Sequence, residues 1–140
     1  MFFFFLGARE PHESQELERF SAALDIVQTR YPNMTLGQLS TLLRVGMTPQ
    51  NAGENTSVSD IVAKTNGQKY PTVARQLDLL GEGTGQVPGM GLIEKETDPN
   101  DRRNRWVGIS EKGKTLIYEL DLILAPQILE KSDSNTQSYT

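Results

Sequence analysis

The chain has 140 residues, 36% of them hydrophobic and 23% charged, with a formal net charge of −4, an ordinary balance for one soluble globular domain with a sizeable core. It has no cysteine, which excludes a disulfide framework, a cysteine nucleophile, a thiol redox sensor and a thiolate metal site. Its one histidine, His12, lacks the second His or Cys that a zinc site needs, so it reads as structural or solvent-exposed.

The chain opens on MFFFFL. This run is far shorter than the ~20 apolar residues that span a bilayer. No basic residue precedes it, and Arg9, Glu10, His12 and Glu13 follow soon after, so it does not read as a signal peptide. Adjacent exposed phenylalanines are an aggregation liability. The segment is therefore expected to cover a groove of the same chain or of a partner subunit.

Residues Glu13 to Tyr31 are predicted to be helical. Leu17, Phe20, Leu24, Val27 and Tyr31 alternate spacings of three and four, a heptad-like seam, and Pro32 stops it. A second helix starts at Thr35, which with Gln38 makes a capping-box pattern. Leu36, Leu39, Leu42 and Leu43 give it an apolar face, and Gly46 can end it. A loop rich in Pro, Asn and Gly fills Met47 to Thr56. Ser57 and Asp60 then repeat the capping logic for a short helix carrying Val58, Ile61 and Val62. A turn at Thr65 to Gly67 leads to a helix from Tyr70 to Leu80. Pro71 suits its first turn, and Val73, Leu77 and Leu80 are spaced as its buried face.

The linker GEGTGQVPGMG, Gly81 to Gly91, excludes regular structure. Leu92 to Thr97 is predicted as a strand, Asp98 to Asn104 as a turn and Arg105 to Ile109 as the returning strand. Ser110 is the expected N-cap of a last helix from Glu111 to about Lys131, with apolar positions at Leu116, Ile117, Leu120, Ile123, Leu124 and Ile128 and a bend at Pro126. The tail SDSNTQSYT is polar and expected to be disordered.

A helix, a helix-turn-helix, a hairpin and a closing helix make a winged helix-turn-helix. The fold class is mainly α with a small β-hairpin. Such a unit suits duplex DNA: the second helix of the motif fits the major groove, and the hairpin reaches the backbone or minor groove, whose negative potential favours arginine. Charge agrees locally. From Lys64 to Lys114 there are nine Lys/Arg against seven Asp/Glu, or +2, while the rest of the chain carries −6.

DPNDRRNRWVGISEKG resembles the wing signature of the multiple-antibiotic-resistance regulator (MarR) family, and VSDIVAKTNGQKYPTVARQLDLL is similar to that family's helix-turn-helix. The resemblance spans Thr35 to Leu120. It implies a dimeric, cytoplasmic bacterial regulator binding a pseudo-palindromic operator in double-stranded DNA, a repressor in the expected case. It also implies a small-molecule effector between the dimer region and the DNA-binding lobe that weakens DNA binding. Residues 1–131 are then one domain, with dimerisation helices at 1–31 and 111–131, a DNA-binding lobe at 57–110 and a disordered tail at 132–140. Carried over by position, Gln68, Lys69, Tyr70, Thr72, Arg75 and Gln76 belong to the recognition helix. Gln bonds adenine bidentately and Arg bonds guanine, the other reading for each being a phosphate or solvent contact. In the wing, Arg102, Arg103 and Arg105 compete for the groove. Asp98 and Asp101 are expected to pair with an arginine and brace the turn, or else to form a solvated charged turn. Trp106 is expected to pack against a neighbouring helix or strand.

Two departures from the family stand out. The linker at Gly81 to Gly91 exceeds an ordinary short connection by roughly eight residues and reads as a flexible flap beside the DNA. The C-terminal end is short, so the dimer contact leans on the first helix and MFFFFL. The competing reading is a winged-helix protein-interaction module that has lost DNA binding, motivated by the acidic total charge and the altered linker. An enzyme has no support: there is no Cys/His pair, no metal-spaced cluster and no Lys-Ser/Thr after the glycine-rich stretch. No cofactor, metal or membrane partner is expected.

Overall fold

The computed structural model describes residues 10–49 and 55–126. MFFFFL, part of the loop before Ser57, Ile128 and the polar tail lie outside the described residues. The elements run α1 (Gln15–Arg30), α2 (Leu36–Gly46), α3 (Val58–Lys64), α4 (Tyr70–Leu80), β1 (Ile93–Asp98), β2 (Asp101–Ile109) and α5 (Glu111–Leu124). A short 3-10 turn at Pro11–Glu13 precedes α1. Two compact units result: α1 with the end of α5, from Glu119 onward, and the segment Tyr31–Tyr118.

In the larger unit, local chemistry sets the helix starts. Thr35 Oγ1 accepts from the Gln38 N–H while Gln38 Oε1 accepts from the Thr35 N–H, and Ser57 and Asp60 do the same for α3. Both capping boxes satisfy backbone donors that a helix start otherwise leaves unpaired. The three helices close on one apolar centre: Leu42 and Val45 from α2, Val58 and Ile61 from α3, and Val73, Leu77 and Leu80 from α4 are all buried. Leu92, Ile93, Val107 and Leu116 complete it. The predicted apolar face of α2 is rotated in fact. Leu36 is 77% exposed, and the buried side is Gln38, Thr41, Leu42 and Val45. The two polar residues go inside because both are hydrogen-bonded, Gln38 in the cap and Thr41 to Gln76.

β1 and β2 form an antiparallel hairpin in register Ile93↔Ile109 through Thr97↔Arg105. The far edge of β2 is also occupied: Trp106 bridges Ser57, and the Val107 N–H donates to the Thr56 carbonyl at 2.7 Å. The backbone leading into α3 therefore acts as a short third strand, which Pro/Asn/Gly content in that loop concealed.

Ser110 caps α5 as expected. Its Oγ accepts from the Gly113 N–H at 3.0 Å and donates to the Gly91 carbonyl at 2.6 Å. A Cβ on Gly113 would stand 2.1 Å from the Leu92 carbonyl oxygen, so only glycine lets the helix start lie against that backbone. α5 ends at Leu124 rather than near Lys131 within the described residues. Pro126 disfavours helical backbone at Ala125, which explains the stop.

In the smaller unit, Ala23, Val27 and Leu120 are buried. Arg30 grips Glu119 with both guanidinium nitrogens, Nη1 to Oε1 at 2.8 Å and Nη2 to Oε2 at 2.5 Å. This pair holds the Glu119 carboxyl below its ordinary value, chiefly by hydrogen bonding. The seam predicted for α1 is only partly covered, since Leu17 and Phe20 are each 53% exposed.

Candidate nucleic-acid interface

α4 carries two faces. Val73, Leu77 and Leu80 point into the core, and Pro71, Thr72 and Arg75 lie on the opposite, exposed side. Lys69 and Tyr70 are exposed at the start of the helix. Unlike α2 and α3, α4 has no side-chain cap: Lys69 occupies the N-cap position, where it accepts nothing. No side chain caps this first turn, whose Pro71 has no N–H, and exposed Lys69 stands at its start, an arrangement that favours an anion.

Gln68 and Gln76 are placed differently from the other recognition-helix candidates. Gln76 is half-buried. Its Oε1 accepts from Thr41 Oγ1 at 2.5 Å, and its Nε2 donates to Gln68 Oε1 at 3.0 Å. Its side chain thus faces α2 and the turn before α4, while Thr72 and Arg75 keep the open face. Thr41 was not singled out in the sequence. The available signal is a threonine three residues after Gln38, flanked by leucines along α2.

The wing differs from its predicted outline. β2 begins at Asp101, so the reversal itself is Pro99–Asn100. The ladder then jumps: Asp98 pairs with Asp101 while Thr97 pairs with Arg105. Arg102, Arg103 and Asn104 have no partner residue on β1 and bulge from the strand. Two of the three arginines therefore stand near the tip, and Arg105 lies at the edge of the regular ladder. All three are exposed.

The aspartates divide their work otherwise than expected. Asp98 is buried and pairs with no arginine among the described residues. Its Oδ1 accepts from the Asn100 N–H at 2.8 Å, and its Oδ2 lies 3.5 Å from Asn104 Nδ2. Asp98 braces the turn through backbone and amide, because a backbone N–H two residues on is closer to hand than a flexible guanidinium. Asp101 accepts from the Arg103 N–H at 3.0 Å and lies 3.7 Å from Arg103 Nε. Arg103 is the paired arginine, and Arg102 has no side-chain partner among the described residues. Trp106 is half-buried on β2, opposite Glu96 and bridged to Ser57.

The wing is fastened to α4 by Lys95 and Asp78, whose ammonium and carboxylate make a close ion pair. The Lys95 side chain is largely buried, so this cation is spent on structure. The glycine-rich linker is likewise structured. The N–H groups of Gly83, Met90 and Leu92 donate to the carbonyls of Asp78, Leu79 and Leu80, and Gly91 donates to Gly81. Between these pins Gly83 bridges Pro88, and Thr84 accepts from Val87. The expectation of a flexible flap is therefore corrected. Gly83 has φ +93°, and a Cβ on Gly89 would stand 2.0 Å from the Gly81 carbonyl oxygen. The glycines serve close backbone approach here as much as freedom.

Three solved structures share this architecture. MepR of S. aureus in complex with DNA matches with a TM-score of 0.60 at 19% identity over 88% of each chain. A mutant MepR from a multidrug-resistant S. aureus clinical isolate matches at 0.57 and 18%, over 89% of this chain and 76% of that one. A mutant MarR from E. coli matches at 0.52 and 16%, over 89% and 86%. The chain has the winged-helix fold of the MarR regulators. No protein-family model and no curated protein sequence matches it. Within the MarR-type fold, α3 and α4 form the helix-turn-helix and β1–β2 the wing hairpin. Among the described residues no helix is long and apolar enough to cross a membrane, and no group of three His, Cys, Asp or Glu is placed to hold a metal.

Proposed function

We propose that the chain is a sequence-specific DNA-binding transcription regulator of the MarR type. The observation that carries this reading is the placement of its cations. Arg102, Arg103 and Arg105 are exposed on the wing, and Lys69 and Arg75 are exposed on the uncapped recognition helix, within a chain whose net charge is negative. α4 enters the major groove with Thr72 and Arg75 toward base edges, and Lys69 with the free N–H groups of the helix start takes a phosphate. The wing arginines take the neighbouring backbone or minor groove. The chain acts as a homodimer, which sets two recognition helices about one DNA turn, roughly 34 Å, apart on a pseudo-palindromic operator. Repression, and release by a small ligand, complete the reading.

The test is fluorescence anisotropy with duplexes selected by the protein from a random pool. Tight binding to an enriched sequence, falling steeply with salt, supports the reading. If no sequence is enriched, or if Arg102, Arg103 and Arg105 can all become Ala without loss of affinity at moderate salt, the protein-interaction module takes its place.

A further inference from the structure

We propose that Gln76 is a positioning residue that sets the start of the recognition helix, and that it reads no base. The proposal rests on the DNA-binding reading above. Three observations converge on it. First, both ends of the Gln76 amide are engaged: Oε1 with Thr41 Oγ1 at 2.5 Å and Nε2 with Gln68 Oε1 at 3.0 Å. Bidentate recognition of adenine needs that same oxygen and that same NH2 group. Secondly, Thr41 is fully buried, and among the described residues its hydroxyl donates to Gln76 alone. Withdrawing Gln76 toward DNA strands a buried hydroxyl, a costly event. Thirdly, Gly37 clears the space. A Cβ there would approach Gln76 Nε2 to 2.8 Å. Glycine in the first turn of α2 gives up helix propensity, and the room it leaves is where the Gln76 amide sits.

The three partners lie on separate pieces: Thr41 on α2, Gln68 in the turn after α3, and Gln76 on α4. A chain of hydrogen bonds through one amide therefore fixes the turn and the first residues of α4 against α2. Lys69, Tyr70 and Thr72 follow directly from that turn. Their aim at DNA is set by an amide one to two helical turns further on, and base choice falls to Thr72 and Arg75.

Hydrogen exchange in the free protein and anisotropy on the selected duplexes test this together. Gln76→Met and Thr41→Val should each speed exchange at the amides of residues 73–75, the first hydrogen-bonded turn of α4, by about fivefold, and the double variant should do little more than either alone, because one network is being cut. Each should weaken binding to all selected sequences by a similar factor, leaving the base preference of each half-site position unchanged. Gly37→Ala adds helix propensity but pushes the Gln76 amide away from Thr41, so its effects on stability oppose each other, while DNA binding should weaken as in the other two variants. The proposal is overturned if Gln76→Met shifts the preferred base at one position while Thr41→Val leaves affinity intact. It is overturned equally if exchange at residues 73–75 does not change in either variant. A protein that shows the exchange effects but binds no duplex would retain the positioning network and lose the DNA-binding reading.

Discussion

At the scale of single residues, the wing shows how two aspartates separated by two residues take different tasks. Asp98 is buried and holds a backbone N–H, whereas Asp101 is exposed and sits beside Arg103. An exposed ion pair of this kind contributes little to stability, but it occupies the cation. Arg102→Ala should therefore weaken DNA binding more than Arg103→Ala, with the salt slope of log K falling by about one unit if a phosphate contact is lost. Anisotropy over a salt series distinguishes the two variants, and their melting temperatures should match the wild type. Asp98→Ala should instead loosen the wing by ~1 kcal/mol, since it removes the side-chain acceptor that holds the turn at Asn100, visible as faster exchange at the amides of residues 100–104. These distinctions were not legible in the sequence. DPNDRR announces a charged turn, but which carboxylate meets which donor depends on the bulge at Arg102 to Asn104, and a register jump leaves no trace in composition. Gln76 illustrates the same limit: its spacing from Thr72 suggests a shared face, whereas its amide hydrogen-bonds a threonine 35 residues upstream.

At the scale of elements, legibility was high wherever a local rule decided the outcome. The capping boxes at Thr35 and Ser57 and the cap at Ser110 follow from side chains reaching their own backbone within three residues, and the bounds of α4 follow from Pro71 in its first turn and Gly81 at its end. Ser110→Ala should lower stability by roughly 1–2 kcal/mol, because Ser110 Oγ both receives the Gly113 N–H and ties α5 to Gly91; a urea titration followed by circular dichroism measures it. Misreadings occurred where a long-range partner decided. Leu36 was placed on the inner face of α2 because leucine is apolar, yet two hydrogen-bonded polar residues hold that face. The linker looked unstructured because glycine is usually read as freedom. Its carbonyl pins show the opposite, and Gly89→Val should disrupt it: a side chain cannot fit 2.0 Å from the Gly81 carbonyl oxygen. Exchange at Gly83, Met90 and Leu92 should accelerate strongly in that variant while α2 and α3 remain protected.

At the scale of the whole molecule, two expectations concern the unit formed by α1 and the end of α5. Leu17 and Phe20 on α1, and Leu122 and Leu124 on α5, remain exposed, which is apolar surface of the kind a dimer covers. Phe20→Asp should yield a folded monomer by light scattering at micromolar concentration, whereas charging the buried Leu120 should unfold the unit; a wild-type monomer with and without DNA would refute the dimer. The second expectation concerns pH. Glu119 titrates below its ordinary 4.5 in the folded chain, owing to Arg30. Its contribution is fully present above that value and is lost as pH falls through the lowered folded value. The melting-temperature gap between wild type and Glu119→Gln should hold from pH 8 to 6 and close on acidification below about 4.5. The pair is solvent-exposed, so the gap should be small and shrink with salt.

The folded linker between α4 and β1 has a practical consequence. Both of its ends are pinned to carbonyls of α4, so changes at its apex need not alter the spacing between α4 and the wing. At that apex a Cβ on Gly85 would meet nothing within 4 Å, and the chain has no cysteine of its own. Gly85→Cys would thus create a single thiol for a fluorophore, spin label or surface tether, attached to a rigid post rather than a loose tether. Exposed tips of this kind also accept inserted segments most readily, so the same position suits an epitope or a second domain spliced into the chain.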